Sequence, residues 1–449
     1  MGNKEKGITL IALIITIIVM LILVGVVVTV VIQSNLLGTA KTAGDKYKTA
    51  YEDESNMSEV TINGEKYSSI EDYLEGKVKL PDIEAGVRAE TNSNYKGVTI
   101  PKGFTVSGIS TEQSVDGGLV IYDIPEGRTV NWTNPDSVKT QYNQFVWIPV
   151  EVNKTTEPKD TETSIASFKR SVWQDNARVA NNAQSSTSFP SSSYSWSNYT
   201  EPYSKDSRDY DGTGTGKTGI SAQITELTKS IYKYGGFYIG RYEAGSTKER
   251  TSSSLQTEPF VVQQEKYPYN YVKWGISMSD VSEGAVYLCN NLYAPKNTNY
   301  GATSMLCTGA SWDSMLDFIK DEDHNVTSST GWGNYYDSAY TVNRGKYAVY
   351  SNGTLGNFRN VNNEYSKEKD KKILLTTGAT ERNSSKNIYD VAGNCYEWTT
   401  EANDTYLRVV RGGDCTYRGS VGPASNRYGN NPTLSYRSYS FRPLLYVAL

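Results

Sequence analysis

The sequence predicts an α+β fold in which one apolar helix at the amino terminus precedes a domain of short strands, two main helices and long loops. Three observations predict this fold. One uncharged run of 25 residues, Ile8 to Ile32, stands near the start of the 449-residue chain. After it, short apolar stretches alternate with Gly, Asn, Ser and Pro, the pattern of strands and turns. Two later stretches repeat apolar residues at helical spacing.

Composition excludes several classes of function. The formal charge of −4 at pH 7 gives no field that attracts a phosphate backbone, so no nucleic-acid partner is expected. The single histidine, His324, rules out a multi-histidine metal site, and its charged neighbours indicate a solvated loop residue. In contrast, the 35 tyrosines are typical of surfaces that bind other molecules.

The uncharged run predicts a membrane-spanning helix. As a helix it measures about 37 Å at ~1.5 Å per residue, which is enough to cross a hydrocarbon core of about 30 Å. The alternative is a buried core helix, but soluble cores seldom use such a run without a polar face. Residues 8–54 are therefore predicted to be the membrane helix and its polar extension. Residues 8–32 are the part that is expected to lie in the membrane.

The first residues resemble the leader of a type IV prepilin. Met1 to Gly7 is short and charged, and the apolar run begins at once with Ile8. The resemblance implies that residues 1–7 are a leader, that a prepilin peptidase cuts between Gly7 and Ile8, and that the bulk of the chain is extracellular. Ala12 stands at the fifth position of the mature chain, where type IV pilins usually carry a glutamate that helps to register subunits in a filament.

Residues 55–96 are predicted to form a small hairpin and a linker. The run from Val60 to Tyr67 contains the pair Asn63-Gly64, which is typical of a two-residue hairpin turn. A domain of short strands is expected over residues 97–449. Within it, residues 150–230 are predicted to be a loop-rich insertion, because Ser, Tyr, Gly and Thr dominate residues 183–218 and aliphatic residues are scarce there.

Two helices are expected in this domain. Asp280 and Glu283 suit a capping box at the start of the first helix, and Ser311 precedes the second. The apolar positions of the first helix are Val281, Ala285, Leu288 and Leu292. Those of the second helix are Trp312, Met315, Leu316 and Ile319. We interpret both apolar faces as core, because a domain of many short strands needs an amphipathic helix to cover it.

Seven segments of the domain follow one another in a recognisable order: Phe145–Pro149, Gly236–Ala244, Tyr269–Trp274, Ser311–Met315, Asn387–Thr399, Arg408–Gly413 and Phe441–Pro443. In this order they resemble the formylglycine-generating-enzyme (sulfatase-modifying factor) family. The segments that begin at Asn387 and Arg408 are the most specific. The resemblance covers roughly residues 97–449 apart from the insertion, and it implies a C-type-lectin-like fold.

In that family, the block that corresponds to residues 392–398 contributes to a calcium site. The resemblance implies that Glu397 and the carbonyl groups of Ala392, Gly393 and Cys395 are the ligands here, and no organic cofactor is expected. The alternative is that Glu397 hydrogen-bonds the turn without a metal, since one carboxylate is a thin ligand set for Ca²⁺.

Catalysis does not carry over from the family. Its oxidases place paired reactive cysteines a few residues beyond the two glycines, whereas here Cys415 follows Gly413 closely and no second cysteine comes after it. The iron-dependent branch of the family needs several histidines. We therefore predict that the protein is not an enzyme and assign no catalytic residue.

The four cysteines all lie in the domain, and an even number outside the cytoplasm favours disulfides. Three connectivities are open. Cys395 and Cys415 stand at positions where the family commonly has apolar or aromatic residues, so we favour one bridge between these two. The second bridge would then join Cys289 to Cys307.

Residues 414–440 are predicted to bind a ligand. Aliphatic residues nearly vanish there, while Tyr, Asn, Ser and Arg, which make adaptable contacts, dominate. The predicted contacts are Tyr417, Arg418, Ser420, Asn426, Arg427, Tyr428, Asn430, Asn431, Tyr436 and Tyr439. The segment also resembles the variable region of proteins diversified by retroelements, which lies just before a carboxy-terminal Phe-Arg block. The alternative is an ordinary polar loop.

These features predict a membrane-anchored, surface-exposed protein whose non-catalytic head binds a protein or glycan ligand, as adhesins and receptors do. One alternative is a minor pilin or pseudopilin of a type IV pilus or a type II secretion-like filament, with pilin-type subunits as partners. The other alternative is an oxidase of the formylglycine type, for which Cys415 is the candidate nucleophile.

Overall fold

The structure is a computed structural model of the 449-residue chain. It describes residues 60–62, 65–67, 79–153, 165, 167–179, 219–277, 280–402 and 407–449. The predicted leader, the membrane helix with its extension and most of the insertion lie outside these residues. Within the described part, no helix has the length and apolar character that a membrane crossing requires. The chain divides into two compact units, Met1–Leu80 and Pro81–Leu449.

The described part of the first unit is the predicted hairpin. Strand β1, Val60–Ile62, pairs antiparallel with strand β2, Glu65–Tyr67, and Ile62 lies opposite Glu65. This register leaves two residues between the strands, which is the loop length of the commonest hairpins. The hairpin prediction is confirmed.

The second unit is a mixed structure of many short strands and few helices, as the sequence predicts. Its strands are β3 Ser93–Tyr95, β4 Val98–Ile100, β5 Thr105–Val106, β6 Val120–Tyr122, β7 Gln144–Pro149, β8 Val172–Gln174, β9 Ala177–Val179, β10 Gly236–Gly240, β11 Gly245–Ser246, β12 Tyr267–Pro268, β13 Ala302–Leu306, β14 Tyr340–Val342, β15 Lys346–Ser351, β16 Thr354–Leu355, β17 Arg359–Asn360, β18 Tyr365–Lys367, β19 Ile373–Leu375, β20 Ser384–Ser385, β21 Ile388–Tyr389, β22 Tyr396–Ala402, β23 Arg408–Arg411, β24 Arg427–Asn430, β25 Tyr439–Phe441 and β26 Pro443–Val447. Its helices are α1 Pro135–Lys139, α2 Ile220–Tyr234, α3 Ala285–Leu292 and α4 Gly309–Ile319.

The main sheet has six strands in the order β13-β26-β10-β7-β6-β5, and every neighbouring pair is antiparallel. All five residues of β10 are buried, as are the first five of β7. Strands buried on both faces read as continuous apolar runs, so the Phe145–Pro149 and Gly236–Gly240 segments were visible in the sequence. This sheet contributes much of the main hydrophobic core.

A second sheet carries the segment that the sequence predicts to bind a ligand. Its order is β24-β23-β22-β25, with β22 and β25 parallel and the other pairs antiparallel. A third sheet pairs β15 with β16, β17 and β19. The remaining strands of this unit form the two-stranded pairs β3-β4, β8-β9, β11-β12, β14-β18 and β20-β21.

The helix predicted after Ser311 is confirmed as α4, and Trp312, Met315, Leu316 and Ile319 are all buried. The helix begins earlier than expected, because the Thr308 side chain caps it by accepting the N–H of Ser311 at 3.0 Å. The predicted capping box of the other helix is wrong. There α3 begins only at Ala285, after Gly284 with a φ of 89°, while the Glu283 carboxylate pairs with Lys273 at 3.0 Å.

Two further differences concern where the second unit begins and which helices it contains. Residues 81–96, expected as a linker, belong to the second unit, where Ala89 is fully buried and Arg88 forms a β-bridge with Thr105. Helix α2 was not predicted. Its buried residues Ile220, Ile224, Leu227 and Ile231 nevertheless recur at helical spacing, so the sequence contained the signal.

Candidate functional site

The second sheet fixes the backbone on which the predicted ligand-binding segment rests. Gly412 and Gly413 directly follow β23. Their φ angles of 89° and 73° lie in the left-handed region that favours glycine. A Cβ atom on Gly413 would collide with the carbonyl oxygen of Gly422. This close approach holds the start of the segment against its middle. A hydrogen bond also connects the segment to α4, because the indole N–H of Trp312 donates to the carbonyl of Ala424 at 3.0 Å.

Three tyrosines of this segment project into solvent. Tyr417 and Tyr428 each expose 41% of their surface, and Tyr436 exposes 36%. In the described part of Pro81–Leu449, no other tyrosine is as exposed as these three. Exposed aromatic residues that lie together mark a surface for interaction.

The three exposed rings rest on two buried ones. The ring of Tyr396 lies 5.8 Å from that of Tyr417, 6.1 Å from that of Tyr428 and 5.9 Å from that of Tyr439, measured between centroids. The ring of Tyr436 packs edge-on against Tyr439 at 5.4 Å. The rings of Tyr417, Tyr428 and Tyr436, with Tyr396 and Tyr439 beneath them, therefore form one continuous surface, which we call the tyrosine face.

Cationic side chains lie at the edge of the tyrosine face. The guanidinium of Arg437 stands 4.5 Å from the ring centroid of Tyr436 and 5.6 Å from that of Tyr350. The guanidinium of the exposed Arg418 lies 6.0 Å from the ring of Tyr336. These arginines can donate hydrogen bonds to a ligand while the rings supply apolar area.

Beneath the tyrosine face lies a buried group of charges, Arg411 and Arg427 with Asp313 and Glu401, which we call the charged frame. Arg411 pairs with Asp313 at 2.8 Å and with Glu401 at 3.4 Å. Arg427 pairs with Glu401 at 2.8 Å and also contacts Asp313. Burial raises the pKa of Asp313, but the guanidiniums of Arg427 and Arg411 outweigh it and hold that pKa at about 2. Both carboxylates are therefore paired, and the frame joins α4 to the second sheet.

The structure separates the predicted contact residues into three groups. The exposed group is Tyr417, Arg418, Ser420, Tyr428, Asn431 and Tyr436. Two partly buried residues have partners within the segment, since Asn426 donates to the carbonyl of Val421 at 3.1 Å and Asn430 donates to the hydroxyl of Tyr439. Arg427 and Tyr439 are buried. These last two lie beneath the exposed side chains and support them.

Sequence reasoning missed Tyr336, Tyr350, Tyr396 and Arg437. Tyr336 and Tyr350 lie far from the segment in sequence, and no local pattern links them to it. Tyr396 stands in the specific block after Asn387, but its neighbours drew attention only to Glu397. Arg437 lies directly between Tyr436 and Ser438, so composition alone could have included it.

The predicted calcium ligands do not fit a calcium site. Both carboxylate oxygens of the buried Glu397 accept hydrogen bonds from Arg442, at 2.6 and 2.9 Å. The carbonyl of Ala392 accepts the N–H of Asn334 at 3.0 Å. Among the described residues, no group of three or more His, Cys, Asp or Glu side chains is placed to hold a metal ion. With Gly393 and Cys395 supplying only carbonyl groups, the set lacks the free carboxylate that Ca²⁺ needs.

The four cysteines are buried free thiols, so the structure contains neither of the predicted disulfides. Cys395 and Cys415 nevertheless belong to one small apolar cluster, and Cys289 and Cys307 lie close enough to influence each other electrostatically. Burial raises the pKa of the Cys289, Cys395 and Cys415 thiols. The favoured partners are therefore near one another, but they are not bonded.

No protein-family model matches the chain, and no curated protein matches it. Among solved structures, the chain is similar to Treponema denticola variable protein 1, with 14% sequence identity and a TM-score of 0.28, covering 47% of this chain and 85% of that one. It is also similar to CarF, with 14% identity and a TM-score of 0.26, covering 47% of this chain and 87% of that one. TM-scores of this size carry no argument about fold or activity.

Proposed function

We propose that this protein is a ligand-binding protein held at the outer surface of a cell membrane, with a non-catalytic, C-type-lectin-like head. The tyrosine face is its binding site, and its ligand is a protein or a glycan. One observation carries the proposal: the three exposed tyrosines in the described part of Pro81–Leu449 all lie between residues 417 and 436, where they form one surface.

The physical chemistry of the tyrosine face favours binding. A tyrosine offers a large contact area and a polar hydroxyl, yet it has few rotatable bonds to freeze. The rings of Tyr428 and Tyr436 already pack on Tyr396 and Tyr439, so little side-chain entropy remains to be lost when a ligand arrives. Tyrosines and arginines in such positions commonly carry most of the binding energy of an interface.

The thiol chemistry supports a non-catalytic head. Burial raises the pKa of Cys415 well above its ordinary value, and the neighbouring charge of Asp414 raises it further. A thiol reacts as a nucleophile through its thiolate, and a buried thiol with a raised pKa provides little of it. Cys395 is fully buried as well, with a raised pKa. The nucleophile that the oxidase alternative requires is therefore poorly suited to that role.

The membrane anchor is proposed from the sequence. The run from Ile8 to Ile32 has the length and character of a membrane span, and the residues before it resemble a prepilin leader. Cleavage by a prepilin peptidase would leave Ile8 as the first residue. Amino-terminal sequencing of the protein from isolated membranes tests this: Ile8 supports the proposal, whereas an intact Met1 would exclude leader cleavage.

We further propose that residues 414–440 are diversified by a retroelement. The exposed side chains of Tyr417, Arg418, Ser420, Tyr428 and Tyr436 contribute little to the buried frame, so they can change without loss of the fold. A near-copy of the DNA for this segment beside a reverse-transcriptase gene would support the idea. Identical DNA in many isolates, with no such copy, would contradict it.

The binding proposal is tested with the full-length chain on a printed array of glycans and purified extracellular-matrix proteins. We expect the wild-type chain to bind at least one printed ligand, and Tyr428→Ala and Tyr436→Ala to weaken that binding about tenfold or more. The matched control is Leu255→Ala, which shortens an exposed apolar side chain outside the second sheet. Equal binding by all variants would remove the tyrosine face as the site.

A further inference from the structure

A separate pocket lies at the edge of the main sheet. Strand β5 is the edge strand, and residues 86–89 run beside it, since the N–H of Ala89 donates to the carbonyl of Phe104 at 2.8 Å. The turn that follows β6 closes the other side, with the N–H of Arg128 donating to the carbonyl of Pro125 at 3.2 Å. The volume of this pocket is about 390 Å³, within the range of small-molecule pockets.

One wall of the pocket is the indole of Trp132, and the fold holds it in place. Its ring packs edge-on against Tyr122 at 5.3 Å between centroids. A Cβ atom on Gly108 would collide with the indole, and a Cβ atom on Gly86 would lie 3.1 Å from its Nε1 atom. Two glycines thus make room for this ring, which presents a flat, amphipathic surface at the pocket.

Two buried polar atoms in the pocket lining have no hydrogen-bond partner: Nε of Arg88 and Oγ1 of Thr105. Thr105 is 2% exposed, and the Arg88 side chain is 17% exposed. The two residues are paired in the β-bridge, so their side chains lie on the same side of the pair. A buried donor without a partner is unfavourable, and a ligand oxygen that reaches these side chains would satisfy it.

The charges of the lining select the ligand. Nη1 of Arg88 donates to both oxygens of Glu90, at 2.8 and 2.9 Å, whereas Nε of the same guanidinium has no acceptor. Arg128 adds a positive charge at the rim. Two arginines and one glutamate give the lining a net charge of +1, which matches a monoanion better than a dianion such as phosphate.

We propose that this pocket binds a small monocarboxylate, with its flat face on Trp132 and its carboxylate on Arg88, Thr105 and Arg128. The carboxylate is the shared chemistry of two sources, an acidic sugar and an aromatic amino-acid derivative. This site is separate from the tyrosine face, since its residues lie on the main sheet.

Calorimetric titration of the full-length chain distinguishes the sources. The probes are D-glucuronate and N-acetylphenylalanine, each paired with an uncharged counterpart, D-glucose and N-acetylphenylalaninamide. We expect at least one carboxylate to bind about tenfold more tightly than its uncharged counterpart, because hydrogen bonds to charged groups are stronger than those to neutral groups. The carboxylate that binds identifies the source. Equal binding of the counterparts, or no binding of either carboxylate, would overturn the proposal.

Two variants separate binding from folding. Thr105→Val removes the unpartnered hydroxyl without changing the shape of the side chain, so the melting temperature should hold or rise while carboxylate binding weakens. Arg128→Gln removes an exposed charge and should weaken binding without changing the melting temperature. The control is Arg359→Gln, an exposed arginine on β17. Unchanged binding in both pocket variants, or an equal loss in the control, would contradict the assignment.

Discussion

The tyrosine face and the charged frame share the strand β24 but have opposite roles. On β24, Arg427 is buried and pairs with Glu401 at 2.8 Å, while its neighbour Tyr428 is exposed. Alternate residues of a strand point to opposite sides of a sheet, so β24 contributes one side chain to each layer. The comparison separates exposed side chains, which contribute little to the fold, from buried ones that hold the segment in place.

The largest effect is expected from breaking the charged frame. Arg427→Ala leaves the buried carboxylates of Asp313 and Glu401 with one cation fewer, and breaking a buried ion pair in this way costs about 3–5 kcal/mol. Denaturant unfolding of the full-length chain at pH 7 measures the change in the free energy of unfolding. Arg418→Ala, an exposed arginine of the same segment, serves as the control and should change it by about 0.5 kcal/mol or less. A small change for both variants would mean that the frame does not hold the segment.

The next effect is the pH dependence of stability. The buried carboxyl groups of Asp390 and Glu243 have raised pKa values, whereas that of Asp313 in the charged frame is lowered. Burial raises the pKa of Asp390 to about 7, and burial with the charges of Asp390 and Glu397 raises that of Glu243. Between pH ~4 and 7 the folded chain therefore holds a proton on Asp390 that the unfolded chain has lost, and the free energy of unfolding falls as pH rises. The contribution of Asp313, whose pKa is about 2, is constant over this range and is lost only as pH falls below ~4.

Asp390→Asn should therefore make the decline in the free energy of unfolding between pH 4 and 7 shallower. Part of the decline should remain, since burial also raises the pKa of Asp123 to about 6. Unfolding curves collected at several pH values measure the slope. A slope unchanged by the substitution would show that Asp390 does not hold the proton in the folded chain.

A smaller effect on stability is expected at the tyrosine face. Tyr428→Ala removes a partly exposed ring that touches Tyr396, and such a contact is worth about 1 kcal/mol at most. The same unfolding experiment measures it beside Arg427→Ala, the adjacent residue on β24. Equal losses for the two neighbours would remove the distinction between face and frame.

The smallest effect is expected at the rim of the segment. Ser420 is exposed, so Ser420→Ala should change the free energy of unfolding by less than about 0.5 kcal/mol. Thermal unfolding of the variant beside the wild type checks this. A clear loss of stability would indicate that this stretch takes part in the frame.

The strands and helices could be predicted where the sequence pattern is local. The apolar strand Phe145–Pro149 and the helical spacing of Trp312, Met315 and Ile319 depend on neighbours in sequence, and both predictions are confirmed. The start of α3 could not be found in the same way. There the backbone of Gly284, in a conformation that favours glycine, sets the boundary rather than the expected capping box.

The candidate site could be located by composition but not divided into layers. Arg427 and Arg418 are the same residue type in the same segment, yet one is buried and the other exposed. The partners that decide this, Asp313 and Glu401, lie on α4 and β22 and are distant in sequence. Glu397 shows the same limit, since its partner Arg442 lies 45 residues away.

The central claim is that the exposed tyrosines bind the ligand and contribute little to the stability of the fold. Its most direct test is the affinity of the double variant Tyr428→Ala/Tyr436→Ala for the printed ligand that the wild-type chain binds best, measured beside its melting temperature. We expect at least about 30-fold weaker binding, which corresponds to ~2 kcal/mol, and a melting temperature within about 5 °C of that of Leu255→Ala. Wild-type affinity in a folded double variant would contradict the claim.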